Sequence, residues 1–373
     1  MSELPAIPIG DDVVDVELLD DDESNLPATP FDINRQLTPE AAESMANSGR
    51  VNTRRTYTER WTAFANWCLK NDGRTPGPPT TEENLISYVD YLCRKWVDPG
   101  TVRLTVAAIR WMNARAGHKD TPSQEAALQR YADHRHQWNE AGYEQKSSPP
   151  LALVRLRAMV ACCPEDTLAG LRNTVLLMLG YYMRARRSEL AKLRINDIKF
   201  VTPKLIVARK RVSKNDKEGG KEYEIDDPRC VRAVRKWIDA LVELGEGGWN
   251  MPLLRNVNKW DQVRPIGKKG GYGLTPVAIN LIVKRLARQA KLDVADDVTA
   301  HGLRAGVPTD LGAKGYSAAD IKAITGDWKS TEQVDKYRKI GRRMAGVRSD
   351  EGRHSEALSM LRFDNDEPGE ERE

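Results

Sequence analysis

The sequence predicts a mainly α-helical protein with a small antiparallel β-sheet, in which an all-helical N-terminal domain precedes a mixed α/β C-terminal domain. Apolar residues recur at three- and four-residue steps through most of residues 38–142, which is the period of packed helices. Residues 144–150 are polar and end in two prolines, so they interrupt any helix and indicate a linker. Two strand-like segments follow between residues 204 and 226. The length of 373 residues suits two domains.

Five helices are predicted in the N-terminal domain. Thr38-Pro39 starts a short helix, because threonine is a good N-cap and proline suits the first helical position. The second helix runs from Arg50 to Leu69, with an apolar stripe on one face. The third extends from Thr81 to about Trp96, and a break at Pro99-Gly100 precedes the fourth. The fifth spans about Pro122 to Trp138.

The C-terminal domain is predicted to contain one strand pair among several helices. Lys204–Lys210 and Lys221–Asp226 have the composition of strands, and Asn215–Gly220 forms the turn between them. Proline-marked starts at Asp227-Pro228 and Thr275-Pro276 open two longer helices, the second ending near Gln289. Short helices follow near residues 301–314, 318–325 and 331–339. Within the first of these, we expect Pro308 to shorten or kink the helix.

Charge is strongly segregated along the chain. Residues 1–30 contain nine acidic and no basic residues, and residues 364–373 contain six acidic residues and one arginine. The whole chain has a net charge of +4, so residues 31–363 carry +18. A basic body of this kind predicts a polyanionic partner such as nucleic acid. The predicted boundaries are a disordered acidic tail at 1–37, the helical domain at 38–142, a linker at 143–150, the C-terminal domain at 151–363 and an acidic tail at 364–373.

Several classes of protein are excluded by what the sequence lacks. No stretch of about 18 apolar residues predicts a transmembrane helix. The acidic N-terminus has neither the basic nor the apolar region of a secretory signal. The five cysteines include no CxxC pair, and the five histidines form no cluster with cysteines or carboxylates. We therefore expect reduced thiols, no metal site, no cofactor and a cytoplasmic, DNA-associated protein.

Chemistry-bearing residues gather in the C-terminal domain. His301 and Arg304 are three residues apart on a predicted helix and so share one face. Trp328 follows a break at Gly326, and Tyr337 lies nine residues further on. Attack on a phosphodiester by a tyrosine requires cations, because they favour the phenolate and neutralise the charge that develops on the phosphate oxygens. A run from Arg184 to Leu190 supplies further arginines.

This combination resembles the active-site signature of the tyrosine recombinase (phage integrase) family. The matching positions are Arg186-Arg187-Ser188-Glu189-Leu190, His301-x-x-Arg304, Trp328 and Tyr337, in that order. The segment Gly326-Asp327-Trp328-Lys329 resembles Cre recombinase in particular, since most Xer-type relatives have histidine at the position of the tryptophan. The resemblance covers the proposed catalytic domain, 151–363, and the helical domain fits the family's core-binding domain by architecture.

The resemblance implies a role for each matched residue. Tyr337 would be the nucleophile that forms a 3′-phosphotyrosyl link, Arg186 and Arg304 would clamp the scissile phosphate, and His301 would aid proton transfer from the tyrosine. Trp328 would pack beside the phosphate, and Glu189 would support Arg186 from behind. No metal ion or ATP is implied, because the phosphotyrosine preserves the phosphodiester energy for rejoining.

The family also uses a hairpin lysine that protonates the 5′-oxygen leaving group. Here Lys214 suits that role best, and Lys210 and Lys217 are the rivals. The choice among the three lysines stays open at this point.

DNA contacts outside the active site are predicted on two helical faces. The helix after Thr275-Pro276 carries basic and amide side chains at three- and four-residue steps, while its opposite face is predicted to consist of Ala278, Leu281, Ile282 and Leu286. The two candidate sets are Asn280, Lys284, Arg288 and Lys291 on that helix, and Arg54, Arg55, Arg60, Arg103 and Arg110 in the N-terminal domain. The resemblance implies that the two domains close around double-stranded DNA as a C-shaped clamp.

The resemblance further implies a DNA-bound homotetramer that acts on inverted repeats around a spacer and passes through a Holliday junction. A short apolar helix at His354–Phe363 is predicted to be exchanged between protomers. Three alternatives remain: a relative with another outcome, such as hairpin-telomere resolution or transposon movement; a type IB topoisomerase; and a silent DNA-binding protein that kept the fold. The complete set of candidate catalytic residues argues against silence.

Overall fold

The structure, a computed structural model, describes residues 51–71, 73–143, 147–211, 220–266, 273–328 and 330–346. The chain divides into two compact units, Met1–Gln145 and Lys146–Glu373. The described residues are mainly helical and contain a three-stranded antiparallel sheet, so the predicted fold class is confirmed. The helix predicted at Thr38-Pro39, both acidic tails and the His354–Phe363 segment lie outside the described residues.

In the first unit, the described helices follow the predicted order. They are α1 (Val51–Leu69), α2 (Glu82–Arg94), α3 (Pro99–Arg115) and α4 (Glu125–Glu140). Thr81 caps α2 by accepting a hydrogen bond from the Asn84 N–H, as its position predicts. Phe64, Leu85 and Ile109, from three of these helices, are fully buried in one apolar cluster.

The predicted break at Pro99-Gly100 is wrong. Asp98 is the N-cap of α3 and accepts a hydrogen bond from the Thr101 N–H, and Pro99 is the first residue of the helix. Proline is tolerated there because its missing N–H would have no partner within the helix. The two residues therefore start the helix instead of separating it from an earlier one.

The second unit surrounds a larger core with helices and the sheet. Its helices are α5 (Leu153–Ala161), α6 (Leu168–Tyr182), α7 (Arg187–Leu190), α8 (Pro228–Glu243), α9 (Pro276–Gln289), α10 (His301–Ala313), α11 (Ala318–Thr325) and α12 (Thr331–Met344). Helix α6 runs through the centre, and residues from Leu171 to Tyr181 are buried on all sides. Because its C-terminus leads into the Arg184–Leu190 run, this helix fixes one wall of the candidate site.

The sheet has one strand more than predicted. Strand β2 (Leu205–Lys210) pairs with β3 (Lys221–Ile225) as expected, and also with β1 (Ile198–Thr202) on its other side. The sequence alternates weakly in β1, where Ile198 is buried and Lys199 is exposed. Most of the predicted turn between β2 and β3 lies outside the described residues.

Pro308 does not shorten α10, because the helix continues to Ala313. The five cysteines are unpaired, four of them buried and Cys162 half-buried. No helix within the described ranges is long and apolar enough to cross a membrane.

Candidate active site

Helices α10 and α12 carry His301, Arg304 and Tyr337. The two helices pack closely because a glycine on each one faces the backbone of the other. A Cβ atom on Gly312 would lie 2.6 Å from the Arg338 Cα atom, and one on Gly341 would collide with the Thr309 carbonyl oxygen. Only glycine therefore fits at these two contacts. The close approach brings the start of α10 beside the middle of α12.

At this junction His301 and Tyr337 form a hydrogen-bonded pair. His301 Nε2 lies 3.1 Å from the Tyr337 hydroxyl oxygen, so the phenol can donate to the imidazole tautomer whose proton is on Nδ1. Tyr337 is buried, with 7% of its surface exposed. Burial raises the pKa of the phenol, and the nearby charge of Arg304 lowers it in part. In the free protein the phenol is therefore protonated and lies beside a possible proton acceptor.

His301 is held in its neutral form by the same surroundings. Its ring keeps an exposed edge, yet packing removes part of its hydration and lowers the pKa of the imidazole. The positive charges of Arg304 and Arg186 lower that pKa further. A neutral imidazole at physiological pH can accept the phenol proton.

Arg304 is held rigidly in the wall of the site. Its Nη1 donates to the Arg184 carbonyl oxygen at 2.8 Å, and its Nη2 donates to the Asp327 carbonyl oxygen at 2.6 Å. Only 2% of its surface is exposed, and burial together with the charge of Arg186 lowers the pKa of the guanidinium. Arginine stays charged at neutral pH even so.

Arg186 is fixed by Glu189 at the start of α7. Its Nη1 donates to Glu189 Oε1 at 2.7 Å, and its backbone N–H donates to Glu189 Oε2 at 2.9 Å. One carboxylate thus holds both the backbone and the side chain of Arg186. Because Arg186 lowers the pKa of both His301 and Arg304, the three cationic or basic groups are close enough to repel one another. Such a cluster favours an anion between them.

Trp328 closes the site beside the tyrosine. The centres of the Trp328 and Tyr337 rings are 5.4 Å apart, and the guanidinium carbon of Arg304 lies 4.8 Å from the indole centre. The indole Nε1 is buried without an acceptor among the described residues. A buried donor of this kind is costly unless an acceptor arrives.

Lys210 lies at the base of the site, at the end of β2. Its Nζ contacts Asp327 Oδ1 at 3.1 Å and Glu189 Oε2 at 3.8 Å, and the side chain is almost fully buried. Burial lowers the pKa of this lysine, while the two carboxylates act in the opposite direction. Lys214 and Lys217 lie outside the described residues.

Comparison with known proteins decides the family. The model of the phage integrase family matches residues 154–342, about half of the chain. The chain belongs to the phage integrase family. It is accordingly a tyrosine-type site-specific recombinase, as the resemblance predicted. Its likeness to Cre in particular stays a prediction.

This phage integrase family member is similar to one curated relative in sequence and to two solved structures in fold. An integrase/recombinase xerD homolog from Selenomonas ruminantium is 27% identical over 312 residues, which are 82% of this chain and 86% of the relative. Among solved structures, XerH recombinase bound to its palindromic difH substrate has a TM-score of 0.52 at 15% identity, covering 86% of this chain and 83% of that one. A lambda integrase dimer bound to a core site also gives 0.52, at 13% identity, covering 81% of this chain and 93% of that one.

Two residues of the site were not predicted to act there. Asp327 accepts hydrogen bonds from Arg184 and Lys210, and the Tyr223 hydroxyl lies 3.5 Å from the same carboxylate. The sequence signal was the position of Asp327 directly before Trp328. No local pattern marks Tyr223, which lies on β3 and is 104 residues from Asp327 in the sequence.

The DNA-contact candidates are dispersed over the two units of this recombinase. On α9, Asn280 Oδ1 accepts the Ala300 N–H at 2.9 Å, and both Lys284 and Arg288 contact Asp296. Asn280 thus helps to fix the backbone of Ala300, the residue before His301. Lys291 is exposed just after the helix.

The apolar face predicted for α9 is wrong at one position. Leu281 is 61% exposed, whereas Ile279, Val283, Leu286 and Ala287 form the buried stripe. The buried stripe begins at Ile279, one residue after Ala278.

In the first unit, the predicted arginines differ in exposure. Arg55 and Arg103 are exposed, and Arg55 lies 3.7 Å from Glu59 in a solvated ion pair. Arg54, Arg60 and Arg110 are half-buried. The Nε atoms of Arg60 and Arg110 are buried without an acceptor in the described part of the chain.

Proposed function

We propose that this recombinase cleaves and rejoins DNA through a 3′-phosphotyrosyl intermediate on Tyr337. The observation that carries the proposal is the 3.1 Å contact between His301 Nε2 and the Tyr337 hydroxyl, inside a cluster that also contains Arg304 and Arg186. A nucleophile, its base and two cations around one point suit attack on a phosphodiester.

The proposed step is a transesterification at the scissile phosphate. The Tyr337 oxygen forms a bond to phosphorus while its proton passes to His301 Nε2. The bond from phosphorus to the 5′-oxygen breaks, and that oxygen takes a proton from the hairpin lysine. Arg186 and Arg304 hold the non-bridging oxygens, on which negative charge accumulates. The unpaired indole N–H of Trp328 is a further donor to such an oxygen. Because one phosphodiester replaces another, rejoining needs no ATP, and side chains supply the positive charge without a metal ion.

The partner is proposed to be double-stranded DNA with inverted repeats around a spacer. The DNA-bound relatives support this, one of them on a palindromic substrate. In this proposal residues 38–142 form the core-binding domain and residues 151–363 form the catalytic domain. Two such duplexes would exchange strands one at a time through a Holliday junction.

A covalent-complex assay tests the reaction. Target duplexes are first selected from a random library with the purified full-length protein, then labelled and incubated with it before denaturing gel electrophoresis. A protease-sensitive shifted band is expected, and its position on the DNA maps the scissile phosphate. Exchange of strands between two differently labelled duplexes separates recombination from topoisomerase activity. A protein that binds the selected DNA but never forms the band is a silent DNA-binding protein, and the proposal is then wrong.

The leaving-group lysine is proposed to lie on the β2–β3 hairpin. Lys214 is the residue that the resemblance favours, whereas the contacts of Lys210 with Asp327 and Glu189 support that rival. A 5′-alkoxide is too basic to leave without a proton, but a thiolate leaves unaided. We expect Lys214→Ala to slow cleavage by about 10²–10⁴-fold and to recover on DNA with a bridging 5′-sulfur at the scissile phosphate.

Lys210→Ala and Lys217→Ala serve as matched variants in the same single-turnover assay. Recovery with sulfur by one of these, and none by Lys214→Ala, transfers the role to that lysine. If sulfur restores none of the three, the proton donor lies outside the hairpin.

The active assembly is proposed to be a homotetramer joined by exchange of the His354–Phe363 segment. Leu358, Met360, Leu361 and Phe363 are apolar, and an acidic tail follows directly. A terminal apolar segment requires a pocket, which a neighbouring protomer could supply. Deleting residues 353–373 is expected to preserve binding to a single site and to abolish the tetramer on DNA in analytical ultracentrifugation. Deleting only residues 364–373 is the control, and a tetramer that survives the longer deletion contradicts the proposal.

A further inference from the structure

Two backbone carbonyl groups from distant parts of the chain hold the guanidinium of Arg304. One belongs to Arg184, which follows α6, and the other belongs to Asp327, which follows α11. They accept two of the five guanidinium N–H groups and leave three without an acceptor among the described residues. The orientation of these three toward a phosphate therefore depends on where the two carbonyls stand.

The same two residues are joined through their side chains. Arg184 Nε donates to Asp327 Oδ2 at 2.9 Å, and Arg184 Nη2 donates to the Thr325 carbonyl oxygen at 3.1 Å. The ion pair is well shielded, with 12% of the Arg184 side chain and 8% of the Asp327 side chain exposed. It ties together two segments that are 143 residues apart in the sequence.

Arg184 also adopts an unusual backbone conformation. Its φ of 48° lies in the left-handed region, which is unfavourable for a residue with a Cβ atom. Its guanidinium carbon lies 5.0 Å from the centre of the Tyr223 ring. Side-chain contacts thus hold the residue in a conformation that aims its carbonyl oxygen at Arg304.

The negative charge of Asp327 is compensated within this cluster. Its second oxygen, Oδ1, accepts from Lys210 at 3.1 Å. The carboxylate stays ionised, because Lys210 and Arg184 lower its pKa against the opposing effect of burial. Two cations surround the one anion, so the cluster does not repel an incoming phosphate.

We propose that Asp327 and Arg184 are positioning residues for Arg304: their ion pair sets the two carbonyls that orient the guanidinium toward the scissile phosphate. This inference rests on the proposed cleavage reaction. Neither residue touches the phosphate in this arrangement, and both act through Arg304. Removing the charge of Asp327 should therefore impair cleavage without impairing DNA binding.

A double-mutant cycle tests the inference. Asp327→Asn is nearly isosteric and is expected to slow single-turnover cleavage about 10²-fold, which is the cost of misplacing a catalytic group by about 1 Å. In an Arg304→Ala background the same change should cost little, because the residue through which it acts is absent. Equal costs in both backgrounds overturn the proposal.

Two further measurements separate this role from its rivals. If Asp327 acted by holding Lys210, bridging 5′-sulfur would restore the cleavage rate of Asp327→Asn; no restoration is expected. Asp310→Asn is the matched control, since Asp310 is another poorly exposed carboxylate, bound to Tyr181 and the Leu153 N–H. It should retain the cleavage rate, and a loss equal to that of Asp327→Asn would mark a general effect of neutralising a buried acid.

Thermal unfolding midpoints and affinity for the selected DNA show whether each variant is folded. Should Asp327→Asn fail to fold, Arg184→Lys enters the same cycle from the other side of the ion pair and carries the same expectation. If the wild-type protein forms no covalent complex, the proposed function itself is wrong. If the wild-type protein cleaves DNA but the costs of the two substitutions are additive in the cycle, only the positioning role is wrong.

Discussion

Tyr337→Phe is expected to abolish strand cleavage and to leave DNA affinity unchanged. The substitution removes the hydroxyl oxygen that lies 3.1 Å from His301 Nε2 and leaves the ring in its packing against Trp328. Without that oxygen no bond to phosphorus can form, whereas the arginines that attract the phosphate remain. The covalent band should disappear on the selected duplex, and titration of the same duplex should give the wild-type dissociation constant.

Tyr316→Phe is a suitable control for this experiment. It makes the same chemical change at a residue that is 42% exposed and lies in the loop between α10 and α11. Cleavage by this control should match the wild type. Persistent strand cleavage by purified Tyr337→Phe would show that another group is the nucleophile.

Arg304→Ala is expected to slow cleavage by about 10²–10³-fold, the cost of losing one donor to a developing oxyanion. The loss should appear in the single-turnover rate, because the charge matters most when the phosphorus carries five ligands. Arg155→Ala, which removes an arginine paired with Asp293, is the control of equal size and charge. A cleavage rate within a few-fold of wild type in Arg304→Ala would be incompatible with a clamp on the scissile phosphate.

The same variant makes a prediction that does not depend on activity. Arg304 lowers the pKa of His301, so its removal should raise that pKa. The sign follows from charge: a neighbouring cation disfavours the imidazolium, and alanine exerts no such effect. An NMR titration of the His301 ring protons should therefore show protonation at higher pH in Arg304→Ala than in the wild type. An unchanged midpoint would mean that the two side chains are not electrostatically coupled.

Local signals in the sequence were sufficient for much of the fold. Thr81, Asp227-Pro228 and Thr275-Pro276 mark helix starts through capping chemistry, which depends on a few adjacent residues. Pro99 illustrates the limit, because the same residue that ends one helix can begin another. Strand β1 was missed since five residues with weak alternation acquire their pairing only from β2.

Some residues of the candidate site could likewise be predicted from local sequence, whereas others could not. Spacing within one helix places His301 beside Arg304, and the resemblance relates both to Tyr337. The role of Asp327 depends on Arg184, 143 residues away, and no local pattern encodes that contact. The exposure of Leu281 likewise depends on how α9 is rotated against the core. The contact of Asp327 and the exposure of Leu281 both depend on tertiary packing, so only the folded structure reveals them.

The glycine contacts between α10 and α12 bear on which chain supplies the residues of each active site in an assembly. Gly312 and Gly341 hold the two helices so closely that His301 and Tyr337 meet within one chain. In the proposed reaction each chain would then use its own tyrosine and would not borrow one from a neighbouring protomer. In a mixed population, chains that lack the nucleophile would lower the number of strands cut in proportion to their share. In that reaction, any restraint that keeps some subunits inactive must act on a subunit that already holds its own His301 and Tyr337.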